Sequence, residues 1–557
     1  MPTFNSAHRA QTLQQLQSET FDLIVIGGGI TGAGIALDAG SRGLKVALVE
    51  MRDFASGTSS KSTKLIHGGL RYLKQFEIGL VRETGRERAI VHKLAPHLVV
   101  AEKMLLPLFK DGTYGKIGTS VGLAVYDFLA DVEGKDKRKM LSREETLDRE
   151  PLLREDGLTG GGYYAEYRTD DSRLTIENLK KAAEFGAVSM NYLKAVGFLR
   201  DENDRVNGIR VEDKLAGGTL EIRGHYTVAA AGPWVDDLRK VNQSFDQGNK
   251  RLFLSKGVHI VVPRERLPIQ QSVYFDVPDG RMMFAIPRNR VTYIGTTDTP
   301  YQGDLEKIPI HLEDVTYILD GANAMFPAAK LTVDDVESSW AGLRPLIFEE
   351  GKSASEMSRK DEIFEATNGL IAIAGGKLTG YRKMADRIVD LVGDRVKKDT
   401  QRRIGEDRTR TIALTPTPFR DARDVDGYRI EVAEKIGELG LPEAYINYLV
   451  HNYGKQCDAI LEHAATLPTA DPEIRIARAE LRHCLDHELT FTALDFYNRR
   501  TGRLYFFIET IEPTLDAILS DLGAAHDWDA ERTERERASV FAEIERLSHF
   551  EPEQQVV

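Results

Sequence analysis

Cysteine is almost absent. The two that occur, Cys457 and Cys484, are too few for a disulfide framework and lack C-x-x-C spacing. A reducing compartment is the expectation. Long apolar runs are missing as well: no window of 18 continuous apolar residues occurs, and "MPTFNSAHRAQTLQQLQSET" has no apolar core of a signal peptide. This excludes a membrane-spanning helix and predicts a cytoplasmic protein. A peripheral membrane contact stays open, because it needs only an amphipathic face. Positive charge is not in excess, since the formal net charge is -12, and nucleic acid is therefore disfavoured as the main partner. The few His and Cys lack ligand spacing, so no metal site is expected. With 557 residues the chain exceeds one ordinary core and predicts two or more structural units.

What is present begins at residues 21 to 50, "FDLIVIGGGITGAGIALDAGSRGLKVALVE". The apolar run from Leu23 to Ile26 reads as a buried parallel strand. Helical spacing runs from about Thr31 to Ser41, and "LKVALVE" reads as a second strand ending on Glu50. Gly27, Gly29 and Gly32 fit G-x-G-x-x-G, which serves the tight turn, the approach of backbone to a pyrophosphate, and close helix-to-strand packing. With Ile30 and Thr31 they open a helix whose N-terminus carries partial positive charge for a diphosphate. Glu50 ends the second strand where a carboxylate accepts both hydroxyls of an adenosine ribose. This unit alone does not separate FAD from NAD.

Two later segments repeat the strand-to-helix corner. "YTVAAAGPWVDDL" (226 to 238) places Ala231, Gly232 and Trp234 after a strand, and "GLIAIAGGKLTGYRKMADRIVDLV" (369 to 392) places Gly376, Lys377, Leu378 and Thr379 before a helix expected from near Lys377. Such returns to the same dinucleotide are a habit of two-domain flavoproteins. Directly after the second strand comes "TSSKSTKLIHGGLRYL" (58 to 73), five hydroxyl side chains and two lysines in seven positions. In an open α/β sheet it falls near the carboxyl ends of the strands, where ligands bind. It contributes Thr58, Ser59, Ser60, Lys64, Leu65, His67, Gly68, Gly69 and Leu70 to the expected cofactor site. No cysteine or histidine attachment context occupies the glycine-rich loop, so a non-covalent flavin is expected.

At "GTSSKSTKLIHGGLRYLKQFE" the sequence closely resembles the bacterial FAD-dependent (aerobic) glycerol-3-phosphate dehydrogenases. Further matches are "GGYYAEYRTDDSRL" (161 to 174), "SKGVHIVVP" (255 to 263), "YIGTTDTPYQGD" (293 to 304), "SSWAGLRPL" (338 to 346), "SRKDEI" (358 to 363) and "AGGKLTGYRK" (374 to 383). The resemblance runs from about residue 20 to 400, followed by a helical tail similar to the family's C-terminal domain. It implies oxidation of sn-glycerol 3-phosphate to dihydroxyacetone phosphate, with electrons passing to a membrane quinone from the inner face of the cell membrane. A homodimer is compatible with this reading. A glycerol-3-phosphate oxidase, which uses oxygen and releases hydrogen peroxide, shares nearly the same groups and is the alternative. An FAD-carrying partner of RNA modification is disfavoured by the acidic charge and the clustered arginines.

The chemistry of the residues supports the substrate class. A phosphate dianion needs fixed cations, and Arg offers a planar fork for two oxygens. Arg71, Arg344, Arg359 and Lys377 stand in segments with that placement. The resemblance assigns the phosphate to Arg344 and Arg359, with Arg71, Tyr72 and Lys377 closing the pocket. Oxidising a secondary alcohol moves hydride from C2 while a base removes the hydroxyl proton, and His259 in "GVHIVVP" is the first candidate. The competing reading is a core histidine, and an Arg or Lys as base or alkoxide stabiliser, Arg344 among them, stays open.

The expected fold is an α/β, Rossmann-like FAD-binding unit. Segments 93 to 160 and 250 to 350 supply a mostly antiparallel substrate sheet, discontinuous in sequence. By residue the expectation is an extension (1–20), an oxidoreductase region (21–398), and a linker with a C-terminal all-helical domain (399–557). The linker reading covers 396 to 424, where large apolar residues are few.

Overall fold

The structure, a computed structural model, describes residues 4–67, 78–110, 112, 138–243, 251–348, 361–468 and 471–553. Two sheets organise it. The first is built on five parallel strands in the spatial order Ile371–Ala374, Thr219–Ala229, Thr20–Ile26, Val46–Val49 and Val188–Met190, with Glu362–Glu365 antiparallel at one edge. Its central strands read as continuous apolar runs because helices cover both faces: Leu23, Ile24, Val25, Val46, Ala47, Leu48 and Val49 are fully buried. The helix Ile30–Ser41 is buried along almost its whole length, which its small residues permit. A Cβ on Gly34 would lie 3.0 Å from the Tyr381 ring, and one on Gly40 would lie 3.4 Å from Phe185.

The second sheet pairs its neighbours antiparallel, except that Ser272–Asp276 runs parallel to Val100–Phe109. One long ladder joins Val100–Phe109 to Leu158–Arg168, and another joins Leu252–Pro263 to Ser338–Ile347. The short strand Leu65–Ile66 pairs with Leu158–Arg168. The hydroxyl-rich stretch therefore crosses from one sheet to the other, and so lies between the two layers.

The tail is helical: Ala422–Glu438, Ala444–Tyr453, Cys457–Thr466, Pro472–His487, Ile511–His526 and Ala530–Ser548. Asp421, Asp471 and Asp529 cap three of these with backbone N–H bonds. The stretch read as linker from residue 396 begins later, because the helix Tyr381–Thr400 continues through it. Ile388, Val389, Val392 and Val396 keep that helix's apolar face in the core. The tail shares a core with the second sheet, where Trp340 packs 5.0 Å from Tyr505 and 6.0 Å from Phe506. Among the described residues, no helix is long and apolar enough to cross a membrane.

Candidate functional site

The carboxyl ends of the parallel strands and the facing layer of the second sheet enclose a cavity of about 1120 Å3. All three glycine corners meet there. At the first, Gly27 has φ +115°, and a Cβ on it would fall 2.5 Å from the Ala230 carbonyl oxygen. Only glycine allows that approach. A Cβ on Gly32 would fall 1.9 Å from the Gly27 oxygen, so Gly32 packs helix on strand and does not line the cavity. Gly29 is the N-cap of the helix Ile30–Ser41 and has no side chain to cap it, which leaves the positive helix end to the cavity. Ile30 and Thr31 also line the cavity, and the Ile30 N–H donates to Ser59 Oγ at 2.9 Å.

Glu50 lines the wall at the end of the second strand, with its carboxylate accepting from the Gly28 N–H at 2.7 Å and the Arg52 N–H at 3.0 Å. Burial pushes its pKa above the usual carboxylate range against those two bonds. At the second corner Ala231, Gly232 and Trp234 reach the cavity. The Arg52 guanidinium stacks over the Trp234 ring at 5.0 Å. At the third corner Gly376, Lys377, Leu378 and Thr379 line the cavity. The following helix starts at Tyr381, four residues later than the sequence suggests, because residues 375 to 380 form an irregular approach on which Thr379 Oγ1 donates to the His67 carbonyl at 3.0 Å.

The hydroxyl-rich stretch divides. Thr58, Ser59, Leu65 and His67 line the cavity, whereas Ser60 and Lys64 turn away from it. Lys64 is 1% exposed, its ammonium bound to Asp171 at 2.5 Å and to the Ser60 carbonyl at 3.1 Å. Its charge is thus satisfied inside the protein and supports the stretch from beneath. Gly68, Gly69, Leu70, Arg71, Tyr72 and Arg359 lie outside the described residues.

On the second sheet, Arg344 faces the cavity across Gly257, where a Cβ would fall 2.4 Å from Nη2. Its fork is held by Thr296 Oγ1 at 3.0 Å, the Thr297 carbonyl at 3.3 Å and Asp298 Oδ1 at 3.3 Å. His259 does not reach the wall. It is buried, stacked on Trp340 at 4.8 Å, and its Nε2 lies 3.0 Å from Thr63 Oγ1. Burial and the neighbouring Arg344 and Lys64 charges hold its pKa well below the usual histidine value. It is therefore a neutral ring that meets the cavity wall through Thr63.

Sequence reasoning missed Lys61, Thr63, Thr296 and Asp298, all on the wall. Lys61 and Thr63 stood inside the hydroxyl-rich stretch, and Thr296 and Asp298 inside "GTTD"; what was missing was which side of each loop faces in. Lys61 is the most unusual: burial, aided by Arg546 and Arg52, lowers its pKa to about 7.

The residues present fit FAD. Gly27 and Gly29 let backbone approach a diphosphate, Glu50 offers a carboxylate to a ribose, and the stretch 58 to 67 lines the space between the sheets. Cys457 and Cys484 are both buried in the C-terminal helices.

Residues 22–382 match the FAD dependent oxidoreductase family, and residues 422–533 match the C-terminal domain of alpha-glycerophosphate oxidase. An aerobic glycerol-3-phosphate dehydrogenase of Staphylococcus aureus is 47% identical over 552 residues, covering 99% of this chain and 98% of that protein. A glycerol-3-phosphate dehydrogenase from Bacillus halodurans, solved in complex with FAD, superposes with a TM-score of 0.83 at 41% identity, each chain covered in full (100%). The L-alpha-glycerophosphate oxidase of Mycoplasma pneumoniae, at 17% identity and a TM-score of 0.56 over 72% of this chain and 100% of that one, shares the fold.

Proposed function

The chain belongs to the aerobic glycerol-3-phosphate dehydrogenase family, and from that premise we propose that it oxidises sn-glycerol 3-phosphate to dihydroxyacetone phosphate and hands the electrons to a quinone at the inner face of the membrane. The observation that carries this reading is the anchored Arg344 fork facing the same cavity as the three glycine corners. An arginine held by Thr296, Thr297 and Asp298 keeps its geometry, and so is preorganised for a phosphate or a developing alkoxide. Lys377 on the opposite corner adds a second positive charge to the cavity wall. Arg71, Tyr72 and Arg359 complete the proposed substrate set.

FAD, when bound, supplies the acceptor for the hydride that leaves C2. The protein's part is binding and orientation. Gly27, Gly29, Ile30 and Thr31 would hold the diphosphate, Glu50 the adenosine ribose, and Thr58, Ser59, Leu65 and His67 the chain between diphosphate and ring. His259, kept neutral, orients the Thr63 hydroxyl, which is the wall group behind which it stands. In this reading His259 positions Thr63, and the hydroxyl proton released as the hydride leaves C2 would pass to Lys61, the wall amine whose pKa burial lowers to about 7.

Quinone and oxygen as acceptors are separated by hydrogen peroxide released per glycerol 3-phosphate oxidised in air. The quinone reading expects a small fraction of one, with turnover raised by a soluble quinone. A stoichiometric yield and no response to quinone would make the protein an oxidase.

A further inference from the structure

The C-terminal helices reach the base of the cofactor loop. Asp53 stands between Glu50 and the cavity-lining residues 56–59, and it is 1% exposed. Arg500 grips it with a two-pronged fork, Nη1 to Oδ2 and Nη2 to Oδ1, each at 2.8 Å. Arg499 places Nε on Oδ2, and Asn191 Nδ2 donates to Oδ1 at 2.9 Å. The other donors of Arg500 are fixed as well: Nε donates to the Glu488 carbonyl at 3.1 Å, and Nη2 also donates to it at 2.8 Å. Arg499 Nη2 is tied to Asp495 Oδ1 at 2.9 Å. Both arginines end a π-helical turn, Asp495–Arg500, closed by a Thr501 N–H to Phe496 carbonyl bond of 3.0 Å. The wider turn narrows the angle between successive side chains and lets two neighbours meet one carboxylate.

From Asp53 the contacts lead straight to the cofactor cavity. A Cβ on Gly28 would fall 2.5 Å from the Phe54 ring, the Ala55 N–H donates to the Gly28 carbonyl at 3.0 Å, and a Cβ on Gly57 would fall 3.1 Å from Trp234. The loop therefore touches the first and second glycine corners on one side and the C-terminal arginines on the other. We propose that Arg499 and Arg500 are positioning residues for FAD, through which the C-terminal helical domain clamps residues 51–59 in their cofactor-binding shape. Without the fork, Asp53 is a buried charge left with only Arg499 and Asn191, and the loop must rearrange to regain the lost bonds. Linkage makes the effect mutual: if the clamp favours FAD, FAD favours the clamp.

The test reads the FAD dissociation constant from the rise of flavin fluorescence as holoenzyme is diluted. Arg500→Lys, which keeps charge and loses the fork, and Arg500→Met should each weaken FAD binding by about 5- to 150-fold, the usual span of coupling between sites. Leu519→Ala is the control: it opens a cavity among the C-terminal helices, where Leu519 is 1% exposed, and should lower the melting temperature without changing the FAD constant. In the wild type, removing FAD should speed amide exchange across residues 488–507, a readout that stands even where Arg500→Met does not fold. Unchanged FAD affinity in Arg500→Lys, equal weakening by Leu519→Ala, or exchange at 488–507 indifferent to FAD would each overturn the proposal and leave the ion pairs as domain packing alone.

Discussion

At the Gly27 corner, the helix Ile30–Ser41 has a glycine, Gly29, as its N-cap and opens on the cavity. At Asp53, a few residues beyond Glu50, both carboxylate oxygens are closed off, by Arg499 and Arg500 from the far end of the chain and by Asn191. Both are buried and both are charged in effect. They differ in who completes them: the first is left for a ligand, the second is completed by the protein itself. An open cation-like site beside a sealed ion pair is what a cofactor pocket needs, since the pocket must be rigid without already being satisfied.

The largest expected effect comes from breaking the helix-to-strand packing that shapes the open side. Gly32→Ala would place a methyl 1.9 Å from the Gly27 oxygen, a backbone clash that costs about 3 kcal/mol or more. The purified variant should be close to colourless; full flavin content, read from its absorbance, would mean the corner can yield. Next is Arg344→Lys. Losing the fork while keeping the charge should lower kcat/KM for glycerol 3-phosphate by about 100-fold. The poor activity on glycerol should hardly move, and steady-state kinetics on both alcohols decides it. Glu50→Gln should weaken FAD retention by about 1.5 to 3 kcal/mol, the worth of a charge-assisted hydrogen bond, and change the rate of flavin reduction little.

The smallest effect comes from two buried histidines. His97 is fully buried, and burial lowers its pKa to about 4 in the fold, with Glu177 opposing and Arg173 and Lys180 reinforcing the shift. His451, whose ring lies 2.7 Å from the His97 carbonyl, is lowered to about 3 by burial and Arg168. The unfolded chain takes up these protons first, near pH 6.5, so stability is whole above that pH and falls as pH drops toward 4. Roughly 1 kcal/mol per histidine, about 2 kcal/mol for the pair, should be lost between pH 6.5 and 5.5. Melting curves across that range check it, and a His97→Gln variant should show a flatter profile.

The open side was legible in the sequence because its signals are local. Gly27, Gly29, Gly32 and Glu50 sit within one strand-helix-strand unit, and Ala231, Gly232 and Gly376 each follow an apolar strand. The sealed side was not, because Asp53 and Arg500 are 447 positions apart and neither carries a local pattern. Lys64 and His259 show the same limit inside the motifs. The residue type was right for chemistry, yet Asp171 claims Lys64, and Thr63 and Trp340 enclose His259. A motif gives the neighbourhood of a side chain; the direction it faces comes from packing partners distant in sequence.

The proposed chemistry requires the flavin and the phosphate to act in one cavity. Anaerobic mixing of the holoenzyme with glycerol 3-phosphate, followed by flavin absorbance in a stopped-flow instrument, tests this most directly. Rapid and complete loss of the oxidised flavin band with glycerol 3-phosphate, and next to none with glycerol at the same concentration, is the predicted result. A flavin that stays oxidised with glycerol 3-phosphate, or that both alcohols reduce at the same rate, would contradict it.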